Sequence, residues 1–346
     1  MIIREVEKPK LSGLWLGSDQ DKFETFDITE AQILNNIKII GSGKGAIAVI
    51  LQYLTQKGII TSKLDEVLVP DWLGYWVYNQ IQPYAFPAKR LSERTKVILV
   101  YHQYGFPQDM VKIMALAQAK NLIVIEDCAH ALYSYYQGKR LGTIGDFAVF
   151  SFSKWFFCLA LGGARAKFSD FSQFVDQLVK KIPRGLALIK DAVKFISEKS
   201  TFSSSLTFRR WANSLIKMSY PIYGEALRPG GMACRLLRKK VAAEVAVRQK
   251  RYQNFYQDTS HLGICHHLEK EGITPYVIPI IVPVVKKNGL LKALKNFGFE
   301  TGVYYFDVNR NLLEPKFVET IWIPCHGGMS EKQFAAITKL VINQLS

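Results

Sequence analysis

Two side chains that can do chemistry together each follow an apolar stretch of this sequence. Asp127, preceded by Glu126, ends the segment NLIVIED, and Lys154 follows the segment DFAVFSFS. An amine in a partly desolvated pocket loses its proton more easily and can form a Schiff base with a carbonyl compound. A carboxylate opposite it can keep the ring nitrogen of pyridoxal phosphate (PLP) protonated, so that the ring accepts electrons. The same two residues could also form an ordinary ion pair, and both interpretations stay open on this pair alone.

The elements around these residues alternate between short apolar runs and helical patterns. EVLVP, KVILVYH, NLIVIED, DFAVFSFS and GGARAKF are typical of buried strands, whereas GKGAIAVILQYLTQ and DMVKIMALAQAKN have helical spacing. This alternation predicts an α/β fold, with a mostly parallel sheet covered by helices on both faces. Because ligands bind at the carboxyl ends of such strands, Asp127 and Lys154 should reach one edge.

A second candidate feature is the segment GSGKGAIAVI, which leads directly into a predicted helix. Backbone N–H groups at a helix start bind phosphate, and Lys44 would add positive charge beside Ser42 and Gly43. Ser151, between two phenylalanines, would lie near the same end. A glycine-rich turn and an ordinary strand serine are equally compatible with these residues, and the strict P-loop pattern is absent.

Composition favours a globular, reduced protein. Hydrophobic residues make up 49% of the 346 residues, and the start of the chain lacks the apolar stretch of a signal peptide, so we expect a cytoplasmic protein. The cysteines number five, an odd count without a CxxC motif, which favours free thiols. Cys265, His266 and His267 form the only metal-like cluster, and without a second ligand set we expect no metal site.

The positive charge is concentrated in one part of the chain. Of the net +16, the segment 165–251 carries +13, from 19 Lys and Arg against 6 Asp and Glu. Such a segment attracts phosphate groups of nucleotides, nucleic acid or anionic lipid, although a solvated helical face has the same composition. We expect no nucleic-acid partner, since no recognised binding module occurs.

The later part of the chain predicts helices and then a smaller α/β unit. We place a large domain over 1–235, with the basic helical segment 169–235, and a small C-terminal domain over 236–346. Ser330, with Gln333 three residues on, has the pattern of a capping box that starts the last helix.

Several ordered motifs resemble the DegT/StrS type of PLP-dependent nucleotide-sugar aminotransferase. They are YHQYGFPQDM, VIEDCAHA, GKRLGTIGDFAVFSFSK and, near the end, WIPCHGGMSEKQ. The resemblance covers about residues 37–168 and 275–346. It implies a fold-type I transferase that acts as a homodimer, uses PLP, and moves an amino group, with glutamate as the expected donor, to a keto group of a nucleotide-linked sugar.

The resemblance also assigns roles to individual residues. Lys154 would carry the cofactor and move a proton, Asp127 would pair with the pyridine nitrogen, and His130 would lie near the phenolic oxygen of the ring. The phosphate would be held by Ser151, Ser42, Gly43 and Lys44. An aromatic residue of DWLGYW would stack on the ring, and we choose Trp72 over Tyr75.

Departures from the family pattern concern the lysine spacing, the helix start and the substrate segments. Lys154 comes two residues after Phe152 rather than three or four, and Lys44 replaces a threonine. ALRPGGMACRLL stands in place of an Asn-Tyr-Arg segment, and VYYFD in place of HYP. Two alternatives therefore stay open: another PLP chemistry on a sugar, and a non-catalytic, partner-binding role. For the basic segment 165–251 the alternatives are a nucleotide-sugar pyrophosphate and weak contact with a membrane surface.

Overall fold

The computed structural model describes residues 3–8, 28–225 and 227–346. The side chains of Ile216 and of residues 219–225 lie outside the described part. The chain forms ten helices and twelve strands within these ranges. The helices are α1 (Glu30–Leu34), α2 (Gly43–Gln56), α3 (Tyr75–Ile81), α4 (Met110–Lys120), α5 (Phe171–Lys181), α6 (Arg184–Thr201), α7 (Leu206–Glu225), α8 (Gly231–Asp258), α9 (Val284–Phe297) and α10 (Glu331–Leu345).

Seven of the strands form one sheet, three form a second sheet, and β6 and β7 form a small hairpin. The strands are β1 (Lys38–Ile40), β2 (Glu66–Leu68), β3 (Phe86–Ala88), β4 (Thr95–Tyr101), β5 (Ile123–Asp127), β6 (Tyr135–Tyr136), β7 (Lys139–Arg140), β8 (Phe147–Phe150), β9 (Gly162–Ala166), β10 (Val277–Ile280), β11 (Val303–Asp307) and β12 (Phe317–Pro324).

The large sheet confirms the predicted α/β fold and its mostly parallel character. Its order is β1-β9-β8-β5-β4-β2-β3, and the pairings from β8 through β3 are parallel. β9 runs antiparallel to both β8 and β1. In register, Asp127 pairs with Tyr101 on one side and with Val149 on the other. Three strands therefore end side by side at the carboxyl edge.

Helices cover both faces of this sheet, because its strands are apolar on both sides. α2 packs its apolar residues on one face with α5, and α4 packs on the opposite face. α8 covers the edge formed by the end of β8 and the turn that follows it. The core thus fixes the two elements that matter most for the site, the end of β5 and the start of α2.

The C-terminal unit is an antiparallel sheet, β10-β12-β11, packed against α9, α10 and the second half of α8. The predicted capping box at Ser330 is confirmed, since Ser330 and Gln333 bond reciprocally at the start of α10. The expected domain boundary at 235/236 lies inside α8, a continuous helix with contacts to both units. That boundary stays a prediction.

Some elements differ in extent from the sequence prediction. The strand expected over DFAVFSFS ends at Phe150, and Phe152–Lys154 form one turn of 3-10 helix. Pairing with β9 also stops there, because Phe150 and Gly163 are the last partners. None of the described helices is long and apolar enough to cross a lipid bilayer.

Candidate active site

A cavity of about 400 Å³ opens at the carboxyl edge of the large sheet. Its lining contains all eight residues that the sequence singled out: Ser42, Gly43, Lys44, Trp72, Asp127, His130, Ser151 and Lys154. They come from the ends of β5 and β8, the start of α2 and the segment before α3. The structure therefore brings the predicted set together, although it does not by itself assign a binding role to each member.

Lys154 points its amine at a histidine. Its Nζ lies 3.0 Å from His130 Nε2, and His130 Nδ1 lies 2.6 Å from the hydroxyl of Tyr101. Burial lowers the pKa of Lys154, Asp127 opposes this shift, and Lys194 adds to it. Burial, Lys154 and Arg248 hold the pKa of His130 well below its usual value. The neutral ring can therefore accept a proton of the amine at Nε2 and donate from Nδ1 to Tyr101.

The turn after Lys154 is braced from two directions. Trp155 Nε1 donates to the carbonyl of Ala129 at 3.1 Å, and Arg248 Nη2 donates to the carbonyl of Trp155 at 2.9 Å. Arg248 is fully buried and also pairs with Glu244. Because Arg248 belongs to α8, the position of Lys154 depends on the helix that links the two units.

Asp127 presents one occupied and one open carboxylate oxygen. Its Oδ1 accepts from the N–H of Ala129 at 3.0 Å, whereas no described residue donates to Oδ2. Burial raises the pKa of Asp127, whereas Lys154 and His102 lower it. A buried carboxylate with an unshared oxygen facing a cavity is suited to accept a proton-bearing ring nitrogen.

Glu126, the other acidic residue of the pair, serves the fold. Its two oxygens accept the N–H groups of Gly142, Ile144 and Gly145 at 2.7–2.8 Å, and His102 Nε2 donates to Oε2 at 3.1 Å. These bonds stabilise the charge and lower the pKa of Glu126 despite its burial. Glu126 thus holds the turn GTIGD, residues 142–146, against the end of β5, next to Asp127.

His102, Glu126 and Cys128 lie close enough to suggest a metal site, with ligand atoms within 4.8 Å of one another. The hydrogen bonds argue for a structural cluster, because His102 Nδ1 accepts the N–H of Gln108 and its Nε2 is taken up by Glu126. In the Cys265-His266-His267 cluster, where the sequence led us to expect no metal site, His267 Nε2 lies 3.0 Å from the carbonyl of Pro279, and the Cys265 thiol is buried.

The start of α2 forms a tight cradle. Ser42 caps the helix by accepting the N–H of Gly45 at 3.0 Å. A Cβ on Gly43 would lie 2.8 Å from Ser151 Cβ, and a Cβ on Gly162 would lie 2.3 Å from the backbone nitrogen of Gly43. Only glycine fits at these two positions, so the helix start, β9 and Ser151 approach closely. Helix N-termini with exposed N–H groups bind phosphate.

Two lysines place positive charge near the start of α2, where Ser42, Gly43 and Ser151 form the cradle. Only Lys44 was predicted from the sequence. Lys44 lies with its amine 4.7 Å from the ring centre of Trp76, and burial together with Lys194 and Lys154 lowers its pKa to about 7. Lys194, from α6, also lines the cavity and pairs with Glu198 at 3.0 Å. Lys194 therefore places at least one cation of the basic segment 165–251 at the cavity.

Aromatic side chains form much of the remaining wall. Trp72, chosen from the sequence over Tyr75, lines the cavity, as does Trp76. Tyr75 is largely exposed and lies outside the lining. The ring of Tyr276 stacks on His130, with centroids 4.1 Å apart and an interplanar angle of 2°. Tyr101, Tyr104 and Trp322 complete this wall. All three lie in the motifs YHQYGFPQDM and WIPCHGGMSEKQ, although no site role was predicted for them.

Comparison with known proteins finds a family match over part of the chain. Residues 80–166 match the profile of the DegT/DnrJ/EryC1/StrS aminotransferase family. Over 64 residues the chain is 50% identical to the GDP-perosamine synthase of Escherichia coli O157:H7, covering 18% of each protein. It is also 50% identical over 64 residues to the dTDP-3-amino-3,6-dideoxy-alpha-D-galactopyranose transaminase of Aneurinibacillus thermoaerophilus, again over 18% of each. The chain thus matches less than a fifth of the length of these relatives.

Solved structures resemble the chain over most of its length. Helicobacter pylori PseC, an aminotransferase involved in the biosynthesis of pseudoaminic acid, aligns with 91% of this chain and 88% of its own, at a TM-score of 0.64 and 16% identity. DesV of S. venezuelae aligns with 92% and 88%, at a TM-score of 0.62 and 17% identity. At such low identity the likeness concerns the fold. The chain therefore has the fold of these aminotransferases, and its residues 80–166 match the DegT/DnrJ/EryC1/StrS aminotransferase family.

Proposed function

We propose that this protein is a PLP-dependent aminotransferase that moves an amino group, with glutamate as donor, to a keto group of a nucleotide-linked sugar. The observation that carries the proposal is the arrangement of Asp127 and Lys154 on one cavity, where each favours the charged form of the other. The activities named for the Escherichia coli O157:H7 and Aneurinibacillus thermoaerophilus relatives support the substrate class.

The cavity fits the cofactor at both of its ends. Ser42, Gly43, Lys44 and Ser151 line the cavity where α2 starts, so a phosphate there would meet the helix N-terminus, and Asp127 Oδ2 is available for the pyridine nitrogen. Lys154 would carry the cofactor through its amine, and Trp72 and His130 lie on the walls between these ends. When bound, PLP supplies an electron sink for the bond that is broken at the donor or acceptor carbon.

The chain's own residues account for the proton movements. Because burial lowers the pKa of Lys154, its amine can take a proton from carbon and return it on the other side of the reaction. His130 accepts a hydrogen bond from that amine and so fixes its direction. The wall formed by Tyr101, Tyr104 and Trp322, with Tyr276 stacked on His130, would exclude water from this side and so strengthen the interaction between Asp127 and Lys154.

The basic segment enters the proposal through Lys194. A nucleotide sugar carries a pyrophosphate, and Lys194 places a cation beside Lys44 at the cavity. We also propose a cytoplasmic homodimer. Five free cysteines are consistent with a reducing compartment, and exposed Trp72, Tyr75 and Trp76 beside the cavity give a second copy an apolar surface to cover.

The decisive experiment first measures PLP binding and its attachment to Lys154, and then measures turnover. The purified protein should absorb in the visible range after addition of PLP, and borohydride should fix the cofactor to the peptide that contains Lys154. Lys154→Ala should lose this label, while Lys167→Ala, a change at a lysine paired with Asp146 outside the cavity lining, should keep it. A label that persists in Lys154→Ala would refute the assignment.

The same preparation separates the competing functions. With glutamate and a panel of nucleotide-linked keto sugars, the proposal predicts an amino sugar and 2-oxoglutarate in equal amounts. A deoxygenated or isomerised sugar without amine would instead indicate another PLP chemistry. Protein that binds no cofactor and converts no sugar would favour the non-catalytic role.

A further inference from the structure

The hairpin of α6 and α7 presents an apolar face to solvent within the most basic part of the chain. The two helices pack on each other and are joined by residues 202–205. Large apolar side chains on their outer side are exposed: Leu188 (71%), Ile189 (50%), Leu206 (67%), Trp211 (54%) and Met218 (75%). Monomeric proteins seldom leave such residues grouped on one surface without a partner.

Helical spacing separates an inner and an outer side of α7. Phe208, Ala212 and Leu215, at i, i+4 and i+7, are buried or half-buried and form its inner side. On the outer side, Trp211 and Met218 are two turns apart and form a strip of apolar surface. Arg210 and Lys217, also two turns apart, run beside that strip.

The outer side of α6 continues this surface. Leu188 and Ile189 are exposed together with Gly185 and Ala192, which share their side of the helix. Since the connection is short, the first half of α6 lies beside the second half of α7. Leu188 and Ile189 therefore lie at the Met218 end of the hairpin.

Charge decides what can cover this face. Between Glu198 and Glu225 the sequence contains four basic residues, Lys199, Arg209, Arg210 and Lys217, and no acidic residue. Among the described residues, Arg210 and Lys217 form no ion pair. A second copy docked face to face would bring these cations against their own counterparts, which is unfavourable. The face therefore fits an extended negative surface that also accepts apolar side chains.

We infer that the α6–α7 hairpin docks on an anionic lipid surface. Trp211, Met218, Leu188 and Ile189 would enter the boundary between headgroups and acyl chains, while Arg210 and Lys217 remain at the phosphate level. Lys194, on the inner side of α6, stays at the cavity. This inference does not depend on the proposed catalytic function, because none of these docking residues lines the cavity.

Vesicle sedimentation with the full chain tests the inference. At low salt the protein should pellet with vesicles of phosphatidylglycerol and phosphatidylcholine, remain soluble with phosphatidylcholine alone, and be released in about 0.5 M salt, where the screening length falls to a few ångströms. Arg210→Gln with Lys217→Gln should lower the partition coefficient by about thirtyfold. Lys332→Gln with Lys339→Gln, two exposed lysines of α10, removes the same charge and should change binding much less.

A second pair of variants tests the apolar contribution. Trp211→Ser with Met218→Ser should reduce binding at least tenfold at constant net charge. Val284→Ser with Val285→Ser removes two exposed apolar side chains from α9 and should leave binding unchanged. Circular dichroism and thermal melting confirm that each variant is folded before it is compared.

Three results would overturn the inference. One is the absence of sedimentation with anionic vesicles at low salt. Another is an equal loss of binding in the α10 lysine pair, since that would indicate attraction by net charge alone. The third is a dimer in solution that dissociates in the Trp211 and Met218 variant, because the face would then belong to a second copy of the chain.

Discussion

His130 Nε2 lies 3.0 Å from Lys154 Nζ. The imidazole ring of His130 stacks on the ring of Tyr276, with centroids 4.1 Å apart. Its other nitrogen is 2.6 Å from the hydroxyl of Tyr101. The ring is thus fixed on its face and at both nitrogens, so the amine has an acceptor at a defined place. This relationship links the end of β4, the segment after β5, and the turn after β8.

Replacing His130 should make the Lys154 amine less basic. His130→Phe keeps an aromatic ring against Tyr276 but removes the acceptor that stabilises the ammonium form, so the pKa of Lys154 falls further. In cofactor-free protein, the pH midpoint for trinitrobenzenesulfonate labelling of the Lys154 peptide should move to lower pH. Tyr136→Phe, which removes a hydrogen bond to Asp109 outside the cavity, should leave the midpoint in place. A midpoint that stays or rises in His130→Phe contradicts this role.

Asp127→Asn should separate cofactor binding from turnover. The amide oxygen can still accept the Ala129 N–H, and the phosphate cradle is untouched, so PLP affinity should fall only a few-fold. Without a carboxylate the ring nitrogen is not held protonated, and kcat should fall at least about a hundredfold. Asp146→Asn, at a carboxylate that accepts the Val124 N–H outside the cavity lining, serves as the control. Near-normal kcat in Asp127→Asn would exclude the proposed contact.

The positions of Asp127 and Lys154 at one edge of the sheet could be predicted from the apolar pattern of the sequence. Asp127 and Lys154 lie at the ends of apolar runs, and parallel strands end at one edge. The antiparallel direction of β9 was not predicted, although a signal exists: residues 151–161 are too few for the crossover that a parallel neighbour of β8 needs.

The apolar pattern of the sequence did not predict that Lys194 and Tyr276 lie near the site. Tyr276 comes from the C-terminal unit, and only the packing of two units brings it to His130. For Lys194 a faint signal was present. Lys190, Asp191, Lys194 and Glu198 share the helix face of buried Ala187, and charged residues at apolar spacing indicate an internal polar cluster.

Anion binding at the cradle should weaken as pH rises above 7. The pKa of Lys44 is lowered to about 7, so in the empty cavity the ammonium form dominates below that pH and is lost above it. An anion prefers the ammonium form and binding therefore takes up a proton. Sulfate is a useful probe because it does not titrate in this range. Its affinity for cofactor-free protein should fall with pH between 7 and 9, by up to about tenfold per unit.

Lys44→Met isolates this contribution. The variant should bind sulfate more weakly at pH 6.5 and show a flatter dependence on pH than the parent protein. Lys57→Met, at an exposed lysine near the end of α2 that pairs with Asp170, should follow the parent curve. An affinity that increases with pH, or a slope that persists in Lys44→Met, would show that Lys44 is not the titrating contact.

Lys194 should contribute to anion binding although it lies on a different helix. Lys194→Gln removes one cation from the cavity wall, and sulfate affinity of the cofactor-free protein should fall about tenfold or more, as expected for a charged hydrogen bond. Lys194→Arg should restore most of it. Lys199→Gln, on the same helix against Phe195, is the matched control. If Lys194→Gln lowers thermal stability but leaves sulfate affinity unchanged, its pair with Glu198 is structural only.

Gly162 should be essential for the geometry of the cradle. A Cβ at this position would lie 2.2 Å from the Ser42 carbonyl carbon and 2.3 Å from the Gly43 nitrogen, and both are backbone atoms that cannot rotate away. Gly162→Ala must therefore push α2 from β9, at a cost of about 3 kcal/mol, and should abolish measurable PLP binding. Gly289→Ala, inside α9, would place its Cβ 3.6 Å from Gln344 Oε1, an ordinary contact, and should instead raise stability by about 0.5–1 kcal/mol. Chemical denaturation and PLP titration measure the two effects on the same samples. A folded Gly162→Ala protein that binds PLP normally would show that the close approach of β9 to the helix start is not required.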